Sequence, residues 1–148
     1  MYGNGNGINA YRQTNVITAD PGRLVLMCYE GAIGSLKTAK EKYISRDYEA
    51  KAKALQKAQT IICELMQALD FEKGGEVAGN LERLYNYMLR RITMGDLKGE
   101  VSAFDEVILM LEELESAWKE ISHAPEKPGF IHDAGRGKPA ASRAAGAY

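Results

Sequence analysis

Between Pro21 and Pro125 the chain holds no proline, and Ala, Leu, Glu, Lys, Gln and Met dominate that stretch. Proline breaks a helix interior, and these six residues are strong helix formers. No alternation of apolar and polar residues, the mark of a half-buried strand, occurs in the block. The chain is therefore expected to be all-α. On either side the composition changes. The first 19 residues are rich in Gly and Asn, and His123 to Tyr148 sets Pro125, Pro128 and Pro139 among Gly, Ala, Lys and Arg. Such segments bury too little apolar surface to offset the entropy of ordering and read as largely disordered. The expected organisation is a flexible arm or short extra helix over 1–19, a helical domain over 20–121 and a tail over 122–148.

Start and stop signals divide the block into four helices. Asp20 is placed as an N-cap before Pro21 at N1, and the first helix then runs to about Ser45. A second starts at Asp47, with Glu49 in its first turn and an apolar stripe of Tyr48, Ala52, Leu55, Ile62, Met66 and Leu69. Gly74-Gly75 is read as the break that follows. Val77, Leu81, Leu84, Tyr85, Met88 and Ile92 share one face of a third helix, with a turn expected at Gly95-Asp96. Val101, Phe104, Val107, Ile108, Leu111, Leu114, Trp118 and Ile121 mark the fourth. Short links between helices about 27–38 Å long favour antiparallel neighbours, so an up-down four-helix bundle is the expected architecture.

The chemistry that the sequence omits narrows its role. A net charge of −1 removes the electrostatic reason to expect nucleic-acid binding. The longest purely apolar run, Leu24 to Tyr29, is too short to span a bilayer, and the first residues lack the basic and apolar regions of a signal peptide. There is no phosphate-binding glycine loop and no zinc spacing. Only two histidines exist, His123 and His132, both at or past the end of the last helix. A di-metal bundle site or a Cys–His pair with Cys28 or Cys63 is thus not expected. The two cysteines read as small buried hydrophobes of a cytosolic protein. Tyr85 with Arg90 and Arg91 would suit an anion inside a bundle, but a packed Tyr beside arginines that compensate the helix dipole is the simpler reading. No enzyme activity and no cofactor are expected.

The first helix carries more apolar surface than one core stripe uses. Leu24 to Tyr29 are consecutive apolar residues, and Ile33 and Leu36 follow. At about 100° per residue they cover some 200°, with Met27 on the opposite flank, whereas a bundle helix normally shows a stripe somewhat over 100° wide. Either this helix is central in the bundle, or part of its surface waits for another segment. Tyr11, Val16 and Ile17, apolar residues in an otherwise polar arm, are candidates to cover it as a lid. Met27, Tyr29, Ile33, Leu36, Tyr85 and Met88 are candidates for the walls of the groove beneath. Met adapts to segments of variable shape, and Tyr offers apolar area with a polar tip.

The same stretches resemble the FliS family of flagellar secretion chaperones. The resemblance rests on Tyr11 with Val16 to Pro21, then on Leu24 to Ile33 and on Ala58 to Leu65 with Leu69-Asp70. It continues through Glu72 to Ala78, Asn80-Leu81 and Leu84 to Arg91, and ends with Asp105 to Ile108, Leu114 and Ala117-Trp118. These run colinearly over about residues 11 to 121. Cys28 stands where the family usually has Leu, and the tail after Ile121 matches no family pattern.

That resemblance implies an antiparallel helical bundle in the bacterial cytosol that binds the C-terminal segment of new flagellin. Such a protein keeps flagellin unpolymerised and assists its delivery to the flagellar export apparatus. The export gate and flagellar regulators are further candidate partners. A disordered terminal segment that forms amphipathic helices in an apolar groove fits the physical reading. The alternative from the residues alone is a generic helical adaptor, or a self-associating bundle that dimerises through its apolar face.

Overall fold

The computed structural model describes residues 21–122, which form four helices and no strand. Asp20, the arm residues Tyr11, Val16 and Ile17, and the tail with His123 and His132 lie outside the described residues. The helices are α1 (Pro21–Ile44), α2 (Tyr48–Gln67), α3 (Phe71–Lys98) and α4 (Val101–Ser122). Each packs on the next in the chain, and α4 packs back on α1, which closes an antiparallel up-down bundle. Polar contacts mark the register on each side. Lys40 meets Asp105 and Lys37 meets Glu112 between α1 and α4, while Gln59 meets Thr93 between α2 and α3.

The ends of the helices show which sequence signals act. Arg46 adopts a left-handed φ of 66°, and the amides of Arg46 and Asp47 return to the carbonyls of Tyr43 and Lys42. These bonds satisfy the last carbonyls of α1. Asp47 then caps α2 by accepting from the Ala50 amide at 3.2 Å. The break after α2 falls at Ala68 to Asp70 rather than at Gly74-Gly75. Asp70, a buried carboxylate, accepts from the Lys73 amide at 3.0 Å and so starts α3 one turn earlier than the glycines suggest. Gly75, at φ 49° and ψ −120°, leaves the helical conformation and kinks α3, setting its first turn, residues 71–74, apart from the helix that runs on to Lys98. That conformation is open to glycine and strained for other residues.

Gly95 does not end α3, which continues to Lys98 and stops at Gly99 in a left-handed conformation. Gly95 is buried and brings two helices close: a Cβ there would lie 2.4 Å from the Ala103 Cβ and 3.2 Å from the Glu100 carbonyl oxygen. Gly95→Ala is therefore expected to destabilise the bundle despite Ala's higher helix propensity. Overpacking of about 1–3 kcal/mol outweighs a propensity gain of at most about 1 kcal/mol. Urea unfolding should show a lower midpoint at unchanged slope, and an unchanged or higher midpoint would refute the close approach.

The core is one cluster that runs the length of the bundle. It holds Tyr29, Ile33 and Leu36 from α1, Ile61, Ile62 and Leu65 from α2, Tyr85, Met88 and Ile92 from α3, and Phe104, Val107, Leu111 and Trp118 from α4. The Trp118 indole donates to the Gly22 carbonyl at 2.9 Å and pins the end of α4 to the start of α1. Some stripe residues expected inside lie outside: Tyr48, Ala52, Val77, Leu84 and Ile121 are exposed.

Candidate partner-binding surface

α1 packs against both α2 and α4, and that double contact consumes most of its wide apolar arc. Like every helix of the ring it has two neighbours, so its wide arc is largely but not wholly covered. Of the candidate wall residues, Tyr29, Ile33, Leu36, Tyr85 and Met88 are buried in the core. A second chain reaches them only if the bundle opens. Met27 differs, because it is half-buried on the flank opposite the core face. Leu24, Leu26 and Cys28 around it are also half-buried. The partly accessible apolar surface of α1 is thus its first two turns, next to the point where residues 1–20 join.

Inside the bundle, the hydroxyls of Tyr29 and Tyr85 meet at 2.7 Å across the core from α1 to α3. Burial pushes Tyr29 up to about 12, although the Tyr85 hydrogen bond works the other way, and burial likewise lifts Tyr85 well above its usual value. Both therefore stay protonated near neutral pH and hold the bundle together, with no proton to exchange. On the surface between α3 and α4, the Tyr87 hydroxyl and the Arg91 guanidinium both donate to Glu106, at 2.5 and 2.6 Å. These two donors hold the Glu106 carboxyl below the usual carboxylate range. Among the described residues no group of three or more His, Cys, Asp or Glu side chains converges as a metal site would require.

Two exposed apolar regions were not legible as such. One follows a flank of α3 through Val77, Leu84, Tyr87 and Met94; the other lies at the far end of the bundle, with Ile44, Tyr48 and Leu97. Sequence spacing assigned Val77, Leu84 and Tyr48 to core stripes. The signal that separates them is stripe width: residues at the edge of an apolar face wider than one core needs are left outside. What the surface offers is apolar docking area with polar anchors at its edge.

The family model described as "Flagellar protein FliS" matches residues 4–125. The chain is 41% identical over 122 residues to the flagellar secretion chaperone FliS of Salmonella typhimurium, which covers 79% of this chain and 90% of the relative. It is 38% identical over 111 residues to the flagellar secretion chaperone FliSB of Pseudomonas aeruginosa, with 75% and 88% covered. The corresponding protein of Bacillus subtilis is 33% identical over 122 residues, with 82% and 90% covered.

Proposed function

From the premise that this chain belongs to the FliS family of flagellar proteins, we propose that it is a cytosolic export chaperone for flagellin. It binds the C-terminal segment of flagellin, keeps it from polymerising and assists its delivery to the flagellar export apparatus. The observation that carries the reading is the family match across the whole helical domain, to relatives named flagellar secretion chaperones. The physical features agree with it. The described chain offers apolar surface in place of a convergent polar site, and none of its helices is long and apolar enough to cross a membrane. Acting as a chaperone, the protein needs no catalytic group and no cofactor.

In this proposal a disordered segment folds into amphipathic helices on the apolar surface. Ordering it costs free energy, so the contact must bury a large apolar area to leave net affinity. The proposed contact begins at Met27 and the half-buried residues beside it. Tyr29, Ile33, Leu36, Tyr85 and Met88 form the packed floor beneath, and Tyr11, Val16 and Ile17 act as the displaceable lid. A segment held in this way is unavailable for helix packing between flagellin subunits.

Calorimetric titration of the full chain with a peptide from flagellin's C-terminal region tests the proposal. Saturable binding with a large negative heat-capacity change is expected, as apolar burial coupled to folding requires. No binding by the folded protein would sink the chaperone reading in favour of a helical adaptor for another partner.

A further inference from the structure

The exposed apolar flank of α3 has a counterpart on α4. At about 100° per residue, Val77, Leu84 and Tyr87 fall within about 80° of arc, displaced from the α3 core face toward α4. On α4, Met110, Leu114 and Ile121 fall within about 40°, on the flank toward α3. The sides are fixed by the bonds of Tyr87 and Arg91 to Glu106, and the register by the approach of Gly95 to Ala103. Antiparallel counting from those contacts sets Val77 level with Ile121, Leu84 with Leu114 and Tyr87 with Met110. The result is a seam of three apolar rungs, about 15 Å long at 1.5 Å per residue. It remains open to solvent: Val77 is 50% exposed, Ile121 38%, Leu84 37% and Tyr87 36%.

The open end of this seam adjoins Ser122, where the last described helix stops. Beyond it the sequence carries a segment whose last 23 residues lie past the family match, which ends at residue 125. That segment holds an isolated apolar pair, Phe130-Ile131. Phe130 is eight residues past Ser122, a reach of up to about 26 Å when extended, which spans the whole seam. On the α4 side charge is complementary. Lys127, Arg136, Lys138 and Arg143 outnumber Glu126 and Asp133 in the segment, and exposed Glu113 and Glu120 border the seam there, while exposed Arg83 borders it on the α3 side.

We propose that the seam between α3 and α4 is the docking site for the chain's own C-terminal segment, with Phe130 and Ile131 seated across Val77, Leu84, Leu114 and Ile121. The contact gives the segment beyond the family match a fixed place, and it reserves this face from other helices. It makes no use of the flagellin reading, and it is measured with no partner present, so the two stand or fall separately.

The test is methyl NMR of the full chain. Cross-relaxation is expected from the Phe130 ring to the methyls of Val77, Leu84, Leu114 and Ile121. The doubly substituted F130D/I131D chain should lose it, with shifts confined to the seam methyls. Val77→Asp, at the most exposed rung, should lose the same signals with the bundle still folded. Seam methyls that are identical in the parent and F130D/I131D chains would overturn the proposal. Signals that fade on dilution would do so too, because they would assign the contact to a second copy.

Discussion

Ile33→Asp should unfold the bundle rather than yield a folded chain that has lost its partner. Ile33 is only 7% exposed and belongs to the core cluster. Its replacement forfeits about 2–3 kcal/mol of apolar burial and places a carboxyl among side chains that offer it no hydrogen bond, at a further cost of about 2–7 kcal/mol. A sum of about 4–10 kcal/mol is comparable to the ordinary stability of a domain, about 5–15 kcal/mol. Far-UV circular dichroism and a thermal melt read the result directly. Burial would raise the new carboxyl above its unfolded value, so whatever stability survives should be greatest in acid and fall as pH rises. Met27→Asp is the informative companion, because Met27 is half-buried on the flank away from the core. It should keep its helical content and weaken flagellin-peptide binding in the calorimeter. If Ile33→Asp stays folded and Met27→Asp binds as the parent does, the placement of the contact is wrong.

The fate of Ile33 shows what a single sequence reveals here. Four helices, their antiparallel order and most of the core follow from apolar spacing, because burial in a bundle repeats with the helical period. The helix starts at Pro21 and Asp47 were legible because their chemistry is local. Gly74-Gly75 does interrupt the helical path, at the kink of Gly75, and what the sequence missed is the extra turn that Asp70 starts before it. Gly95 was misread as a stop, because a glycine that allows a close approach looks the same in sequence as one that ends a helix. Only the neighbour tells them apart: Ala103 against Gly95, and open space around Gly75. The αL residue that does end α1 is Arg46, which carries no such signal. The candidate walls failed to appear at the surface for a related reason. Spacing shows that α1 is apolar over a wide arc, but not that α2 and α4 both claim it. Surplus apolar character was real: its accessible part stays on the first two turns of α1, and a separate exposed apolar flank lies on α3.

The tyrosine pair ties stability to alkaline pH in a way that two substitutions isolate. Tyr29 and Tyr85 share one buried hydrogen bond of 2.7 Å. Tyr29→Phe or Tyr85→Phe alone leaves the other hydroxyl buried beside a hydrocarbon edge, at a cost of about 1–3 kcal/mol. The double substitution removes both polar groups and keeps both rings, so it should be less destabilised than the sum of the singles by about 1–3 kcal/mol. The pH dependence follows from proton counts. Unfolded tyrosines ionise near 10, whereas burial holds Tyr29 protonated to about 12 and lifts Tyr85 well above its usual value. Above pH 10 the folded state therefore binds more protons than the unfolded state, and stability falls as pH rises. The contribution is complete below pH 10 and is lost progressively toward pH 12 and beyond. Each such group adds a slope of up to about 1.4 kcal/mol per pH unit. Urea titrations at a series of alkaline pH values should give a steep fall for the parent chain and a much shallower one for the doubly substituted chain. Parallel curves would mean that other groups drive the alkaline loss and that the pair is solvated in the native bundle. A shallow curve for the double variant alone would identify these two hydroxyls as the point where α1 and α3 are held across the core.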